Sequence, residues 1–378
     1  MMRYYLSGLA CFLFPVLVLA ATPASSPGKP AAVSPNLKIL LSGLTSASPV
    51  EQAEAAIKLS RLVPPPPAAI PLLIDCLACD TQVRLTSGAV TSPDQQASAT
   101  LIKFGSQAVQ PLQAALLQAE QPVRKKIALI LLRLKDPRSA ETMMLFLEDA
   151  DPQLRAGAAS VLGCMGFDRA SEKLLLLAGD KNAAVREQVA ISLGKLGYRQ
   201  ALPALLALLT DTSPGVRAAA ATALGQIGQT EAVPALCEKL TDKEETVRWR
   251  VAAALGQLKD SRALPSLVTA LSDHHFLVRA TAAWSLGLLR DSRATEPLAC
   301  LLRDKDAEVR LQAVLALSRV GDTRAAGSLI PLLTDRNLGV RRASLRTLRS
   351  LTGVSPGTDA GSWYAWWEQN RQRYTFWP

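Results

Sequence analysis

The residues able to catalyse or to bind metal are few and poorly matched. His274 and His275 are the only histidines, and they are adjacent. Neighbouring residues do not share a helix face, and a general base needs a placed nucleophile or an orienting carboxylate. No such set is signalled, so both are read as surface turn residues. Cys76 and Cys79 form a C-x-x-C within Asp75-Cys76-Leu77-Ala78-Cys79-Asp80. Zinc would want a second cysteine pair or histidines nearby, and covalent haem attachment would want a histidine where Asp80 stands. The pair reads as two small apolar residues on a buried face, with a local disulfide as the alternative in an oxidising compartment. Cys164, Cys237 and Cys300 are scattered, which suggests core positions. There is no Walker loop and no dinucleotide glycine fingerprint. Recurring Leu-Gly pairs such as Leu224-Gly225 read as packing or termination residues on helices. The expectation is no catalytic set, no metal and no cofactor.

What must position any surviving chemistry is an internal repeat. Arg124, Arg155, Arg186, Arg217, Arg248, Arg279, Arg310 and Arg341 are each 31 residues apart, and each follows Val or Leu. A second series, Asp149, Asp180, Asp211, Asp242, Asp273, Asp304 and Asp335, keeps the same step. Residues 198–228 illustrate one unit. Pro203 stands near the start of a helical run through Leu202, Leu205, Leu206, Leu208 and Leu209. A turn follows at Asp211, with Ser213 as N-cap and Pro214 at the first helical position of a second helix. That helix carries Val216, Ala220, Ala221, Leu224 and Ile227 on one face and ends at Gly228. Asp151, Asn182, Asp306 and Asn337 fill the same N-cap slot in other units. One such unit buries too little apolar surface to fold alone, so neighbours must stack.

The chain has 378 residues, a formal charge of +10 and 49% apolar residues. That apolar fraction excludes a wholly disordered chain, and six cysteines are too few for a disulfide-built scaffold. Residues 1–20 place Arg3 before an apolar run and Val18-Leu19-Ala20 before a possible cut, which reads as a cleaved secretory signal. A retained membrane anchor is the alternative. Removing that segment removes only Arg3, so the remainder is +9 with no membrane span expected. Residues 21–35, rich in Ala, Pro and Ser, read as a flexible linker.

The repeats resemble HEAT repeats, particularly the short bacterial type related to phycobilisome-lyase repeats. Pro203, Asp211 and Arg217 match that family's Pro, Asp and Arg at spacings of eight and six. Pro234, Asp242 and Arg248 repeat the triplet, as do Pro265, Asp273 and Arg279. The resemblance implies an all-α, right-handed α-solenoid of about ten stacked antiparallel helix pairs. It also implies that Asp149, Asp180, Arg186, Asp211, Arg217, Asp242, Arg248, Asp273, Arg279, Asp304, Arg310, Asp335 and Arg341 form a structural ladder along the turns. Residues 36–120 read as degenerate N-terminal repeats, with a rigid break at 64–67 and a long turn over 80–92. Residues 121–352 read as regular repeats, and residues 353–378 as a Trp-rich capping segment. Trp363, Trp366, Trp367 and Asn370 fall on one helical face there, and Trp377 follows.

In HEAT solenoids the second helices line the concave side. Counted from each ladder Arg, positions −1, +3, +4, +7 and +10 face the core, and +1, +5 and +9 face away. Trp249, Trp284, Leu288, Leu311 and Leu315 fall on the outward stripe. Lys195, Arg319 and Arg346 add charge with Lys125, Arg133 and Arg342, while Arg250 lies at the margin and Glu187 opposes them. The expected function is an exported, periplasmic, non-enzymatic scaffold that binds an unidentified protein through Trp249, Arg250, Trp284, Leu288, Leu311, Lys195, Arg319 and Arg346. An alternative is an anionic-polymer binder, which would need a continuous basic groove and would weaken steeply with salt; export argues against nucleic acid. A lyase-like accessory subunit is the other alternative. The iron site of the HEAT-like deoxyhypusine hydroxylases needs His-Glu pairs, and this chain has none.

Overall fold

The computed structural model describes residues 35–374. The signal reading, most of the linker and Trp377 lie outside the described residues. Ten helix pairs follow one another and a final helix closes the array. The first helices of the pairs are α1 (Pro35–Leu44), α3 (Ala69–Asp75), α5 (Val109–Gln118), α7 (Ala140–Phe146), α9 (Ser171–Leu176), α11 (Leu202–Leu208), α13 (Val233–Lys239), α15 (Leu264–Ala270), α17 (Thr295–Cys300) and α19 (Ala326–Leu329). Their partners are α2 (Pro49–Leu59), α4 (Pro93–Phe104), α6 (Val123–Leu134), α8 (Pro152–Met165), α10 (Ala183–Lys195), α12 (Pro214–Ile227), α14 (Glu245–Leu258), α16 (Phe276–Leu289), α18 (Ala307–Val320) and α20 (Leu338–Thr352). The cap is α21 (Ala360–Asn370). This is an all-α solenoid.

One core runs the length of the stack. In the unit carrying Arg217, Val216, Ala220, Ala221, Leu224 and Ile227 are all buried, so that helix turns the −1, +3, +4, +7 and +10 positions inward. The second helices start where N-cap chemistry is available. Asp151, Asn182 and Asn337 each accept a backbone N–H from the first turn of the following helix. Ser213 and Asp306 hold the N-cap backbone conformation but make no such bond. The Asp306 carboxylate is drawn instead to Arg279 Nη2 at 2.9 Å. Gly228 closes α12 with φ of +72°, which a side chain would strain.

Two expectations are corrected. The long turn over 80–92 contains an antiparallel hairpin of β1 (Val83–Arg84) and β2 (Val90–Thr91). Leu85 is buried at its tip, and Thr86 donates from its N–H and hydroxyl to Glu54 on α2. Cys164 and Cys300 are exposed and Cys237 is half-buried, so none of the three is a core residue. Cys164 stands nine residues after Arg155, on the outward stripe, and Cys300 ends a first helix on the opposite layer.

The Trp-rich segment packs as a cap. Trp363 is fully buried and its indole N–H donates to Gly357 O at 3.1 Å. Trp366 meets Trp363 edge-on, and Trp366 and Trp367 both lean on Tyr374. Trp367 lies so close over Gly327 that an added Cβ there would stand 2.6 Å from the indole. The last repeat's open apolar side is thereby covered.

The concave face as candidate functional site

Both edges of the array are stitched. At the turn inside each unit, the ladder Arg donates to the Asp of the next unit, 25 residues on, and to two carbonyls of its own turn. Arg217 Nε and Nη2 reach Asp242 Oδ2 and Oδ1 at 2.7 and 2.8 Å, while Nη1 reaches Asp211 O at 2.9 Å and Thr212 O at 3.2 Å. The bidentate fork recurs for Arg155–Asp180, Arg186–Asp211, Arg248–Asp273, Arg279–Asp304 and Arg310–Asp335. It starts at Arg155: Arg124 is exposed, and Asp149 accepts the Asp151 N–H rather than an arginine. It ends at Arg341, which donates to the carbonyls of Asp335 and Arg336 because no later unit supplies a carboxylate.

The ladder is charged at neutral pH for a physical reason. Burial works against the Asp242 charge, but the Arg217 guanidinium and the Glu244 N–H outweigh it and hold its carboxyl below the usual range. At Asp211 the Arg186 guanidinium is the dominant influence in the same direction. The forked arginines, Arg155, Arg186, Arg217, Arg248, Arg279 and Arg310, are raised above their ordinary value by the same bonds, as Arg217 is by Asp242.

The turns between units carry a second stitch that sequence reasoning missed. Its signal is Asp-x-Arg at Asp136, Asp260, Asp291 and Asp322. Each Asp caps the short turn that follows and grips the Arg two residues on. Arg262 Nη2 also reaches back to Thr230 O of the preceding unit at 3.0 Å, and Arg138 reaches Ser106 O in the same way.

Between these edges the second helices α8 to α18 pack side by side, whereas successive first helices there touch sparsely. The second-helix layer is therefore the inside of the curve. A glycine seam permits the approach. Gly163, Gly194, Gly225, Gly256 and Gly287 stand eight residues after their ladder Arg, each against a Ser or Ala six residues after the next one. A Cβ on Gly225 would stand 2.9 Å from Ala254 Cα, and one on Gly256 2.9 Å from Ser285 Cα. The Leu-Gly pairs are packing residues.

The inner face presents the outward stripe. Trp249, Trp284, Leu288, Leu311, Leu315 and Arg319 are half-buried, and Lys195, Arg250, Arg342 and Arg346 are exposed. Trp249, Leu311 and Leu315 lie against the core. The Arg250 guanidinium stacks on the Trp249 ring, 4.0 Å from its centre. Lys195 Nζ lies 3.1 Å from Cys164 Sγ. Charge is uneven along the face. Lys125, Arg133 and Lys195 stand towards one end, and Arg319, Arg342 and Arg346 towards the other. From α12 to α16 the stripe is Ala218, Thr222, Gln226, Trp249, Ala253, Gln257, Ala280, Trp284 and Leu288, with Arg250 alone at its edge.

The other chemistry-bearing residues sit apart. His275 caps α16, accepting the Leu277 N–H at Nδ1, and its ring stacks on Phe276. Cys76 is buried with its Sγ 3.5 Å from Leu44 O, and burial pushes its thiol up to about 11. Cys76 and Cys79 are both free thiols. Among the described residues no group of three His, Cys, Asp or Glu side chains could hold a metal ion, and no helix is long and apolar enough to cross a membrane.

Solved structures with similar architecture include an engineered protein, at TM-score 0.50 and 21% identity, covering 82% of this chain and 98% of that one. The Escherichia coli protein YibA matches at TM-score 0.48 and 22% identity, over 68% of this chain and 97% of its own. The CpcE–CpcF complex of phycocyanin lyase from Nostoc matches at TM-score 0.41 and 23% identity, over 61% and 94%. No curated protein matches. The HEAT-repeat family model matches residues 140–214, 202–280 and 268–349, more than half of the chain. With its two-helix units, inter-unit ladder and shared core, the chain belongs to the HEAT-repeat family.

Proposed function

We propose that this protein is an exported, non-enzymatic scaffold that binds another protein across its concave face. The carrying observation is the stripe from Trp249 to Leu315, an accessible aromatic and aliphatic strip on helices whose spacing is held by inter-unit Arg–Asp pairs at one edge and by the Arg262 hydrogen bond to Thr230 O at the other. Half-buried tryptophans with an adjacent arginine supply large contact area at little entropic cost, which suits an interface centre. The interruption of charge from α12 to α16 speaks against a polyanion tracking a continuous basic groove. Export rests on residues 1–20 and is tested separately: fused to a reporter that works only outside the cytoplasm, they should carry it there. A reporter retained in the cytoplasm would refute that part.

The binding reading is tested by capture from envelope extracts, with the parent beside a Trp249→Ala/Trp284→Ala variant of matched helicity, at low and moderate salt. A protein retained by the parent and lost by the variant is expected. Capture of anionic polymer alone, indifferent to the variant and abolished by salt, would overturn the reading.

A further inference from the structure

At one end of the concave face Lys125 is paired with Asp151 at 2.6 Å, but among the described residues Arg319, Arg342 and Arg346 at the other end have no carboxylate partner, unlike most arginines of the array. The ladder arginines from Arg155 to Arg310 are forked onto Asp, and Arg138, Arg262, Arg293 and Arg324 are gripped by the Asp two residues before them. On α20 there is no acidic residue at all, and Arg342, Arg346 and Arg349 project at i, i+4 and i+7 from one exposed side. Arg319, on the stripe of the neighbouring α18, has its Nη1 shielded from solvent with no hydrogen-bond partner. An unpaired buried donor on a cation is costly, and turning outward to meet an incoming carboxylate is what would satisfy it. Leu311 and Leu315 share α18 with Arg319, and Trp284 and Leu288 follow on α16, the next helix of the layer.

We infer that the partner segment pairs an apolar anchor with an acidic block: the anchor over Trp284 and Leu288, the carboxylates on Arg319, Arg342 and Arg346. This rests on the scaffold reading and adds the partner's chemistry to it. Charge complementarity chooses acid, and the adjoining apolar strip chooses a polypeptide over a uniform polyanion, which would leave the tryptophan end uncovered. The spacing follows from the array. The anchor on α16 and the arginines on α20 are two helix steps apart, ~16–20 Å at ~8–10 Å per step. An extended chain covers that in about five or six residues at ~3.3 Å each.

The test is selection of binders to the full chain from a displayed library of random twelve-residue peptides. Affinities of the selected peptides are then measured for the parent, Trp284→Ala and Arg342→Glu/Arg346→Glu. Both arginines are exposed, so the charge-reversed chain keeps its fold, which circular dichroism checks. The expected result is peptides with an apolar residue and Asp or Glu about five or six positions apart. They should bind at least tenfold more weakly to either variant, and the charge-reversed chain should select Lys and Arg instead. Peptides that need Trp284 but show no acidic preference would overturn the inference and leave the scaffold reading intact. No selected peptide that depends on Trp284 or the arginines, with inorganic polyphosphate the only probe retained, would overturn both.

Discussion

Truncating Arg217 to alanine should remove a joint between two units. Four hydrogen bonds go at once, two to the Asp242 carboxylate and two to the carbonyls of Asp211 and Thr212. Arg217 and Asp242 side chains are each only 7% exposed. What is left is a nearly buried carboxylate whose remaining partner is the Glu244 N–H at 3.1 Å. Removing one member of such a pair costs on the order of 3 kcal/mol. The pH dependence identifies the cause. In the parent, Asp242 is held below its ordinary value, so its pairing stabilises the fold at neutral pH and is lost as pH falls through the folded-state pKa. In Arg217→Ala burial is no longer outweighed, the carboxyl rises, and charge at Asp242 becomes a burden that protonation relieves. The unfolded chains titrate alike, so the difference between parent and variant should be largest near pH 7 and shrink as pH falls from the variant's higher folded-state value through the parent's, which lies below the ~4 of a free Asp. Solenoids open by segments, so urea unfolding should be read with hydrogen exchange on α12 and α14. A difference under ~0.5 kcal/mol, or one that does not change with pH, would refute the ladder as an energetic joint.

Further outcomes follow from the same geometry. Gly225→Ala should destabilise by ~1–3 kcal/mol in urea unfolding because its Cβ meets Ala254 backbone, while Gly179→Ala, with nothing within 4 Å, should stay within ~0.5; equal effects would remove the seam. Trp363→Ala should cost ~3–5 kcal/mol and expose the segment after Gly353 to protease first; unchanged proteolysis would refute its capping role. A thiol reagent at pH 8 should label Cys164 and Cys300 within minutes and Cys76 last, since Cys76 is buried with a thiol raised to about 11; early labelling of Cys76 would contradict its placement.

Much of this was legible in the sequence because repetition multiplies weak signals. A single Pro, Asp and Arg mean little, but the same residues at a constant step of 31 define a helix pair and its neighbour. The stripe arithmetic also carried through, since +1, +5 and +9 are accessible wherever the side chain is long enough, and Ala280 alone among the positions from α12 to α16 is buried. Geometry between units was harder. Asp211 and Arg217 are six apart in one unit, yet Arg217 bonds the Asp211 carbonyl and keeps its fork for Asp242; only the superhelical offset decides that. The Asp-x-Arg stitches were overlooked because two residues look like a local turn, while their reach to Thr230 and Ser106 is tertiary. The hairpin over 80–92 escaped because strands of two residues have no period to detect. The scattered cysteines were misplaced by residue type, although position +9 already put Cys164 on the open stripe.

The most direct test of the account is site-specific photo-crosslinking in the native cell. A photoreactive residue would replace Gln226 or Gln257, both exposed on the concave stripe, or Glu238, exposed on the opposite layer. The account predicts a discrete polypeptide adduct from the first two positions and none from Glu238. Adducts from Glu238 alone, or none from either concave position, would contradict it.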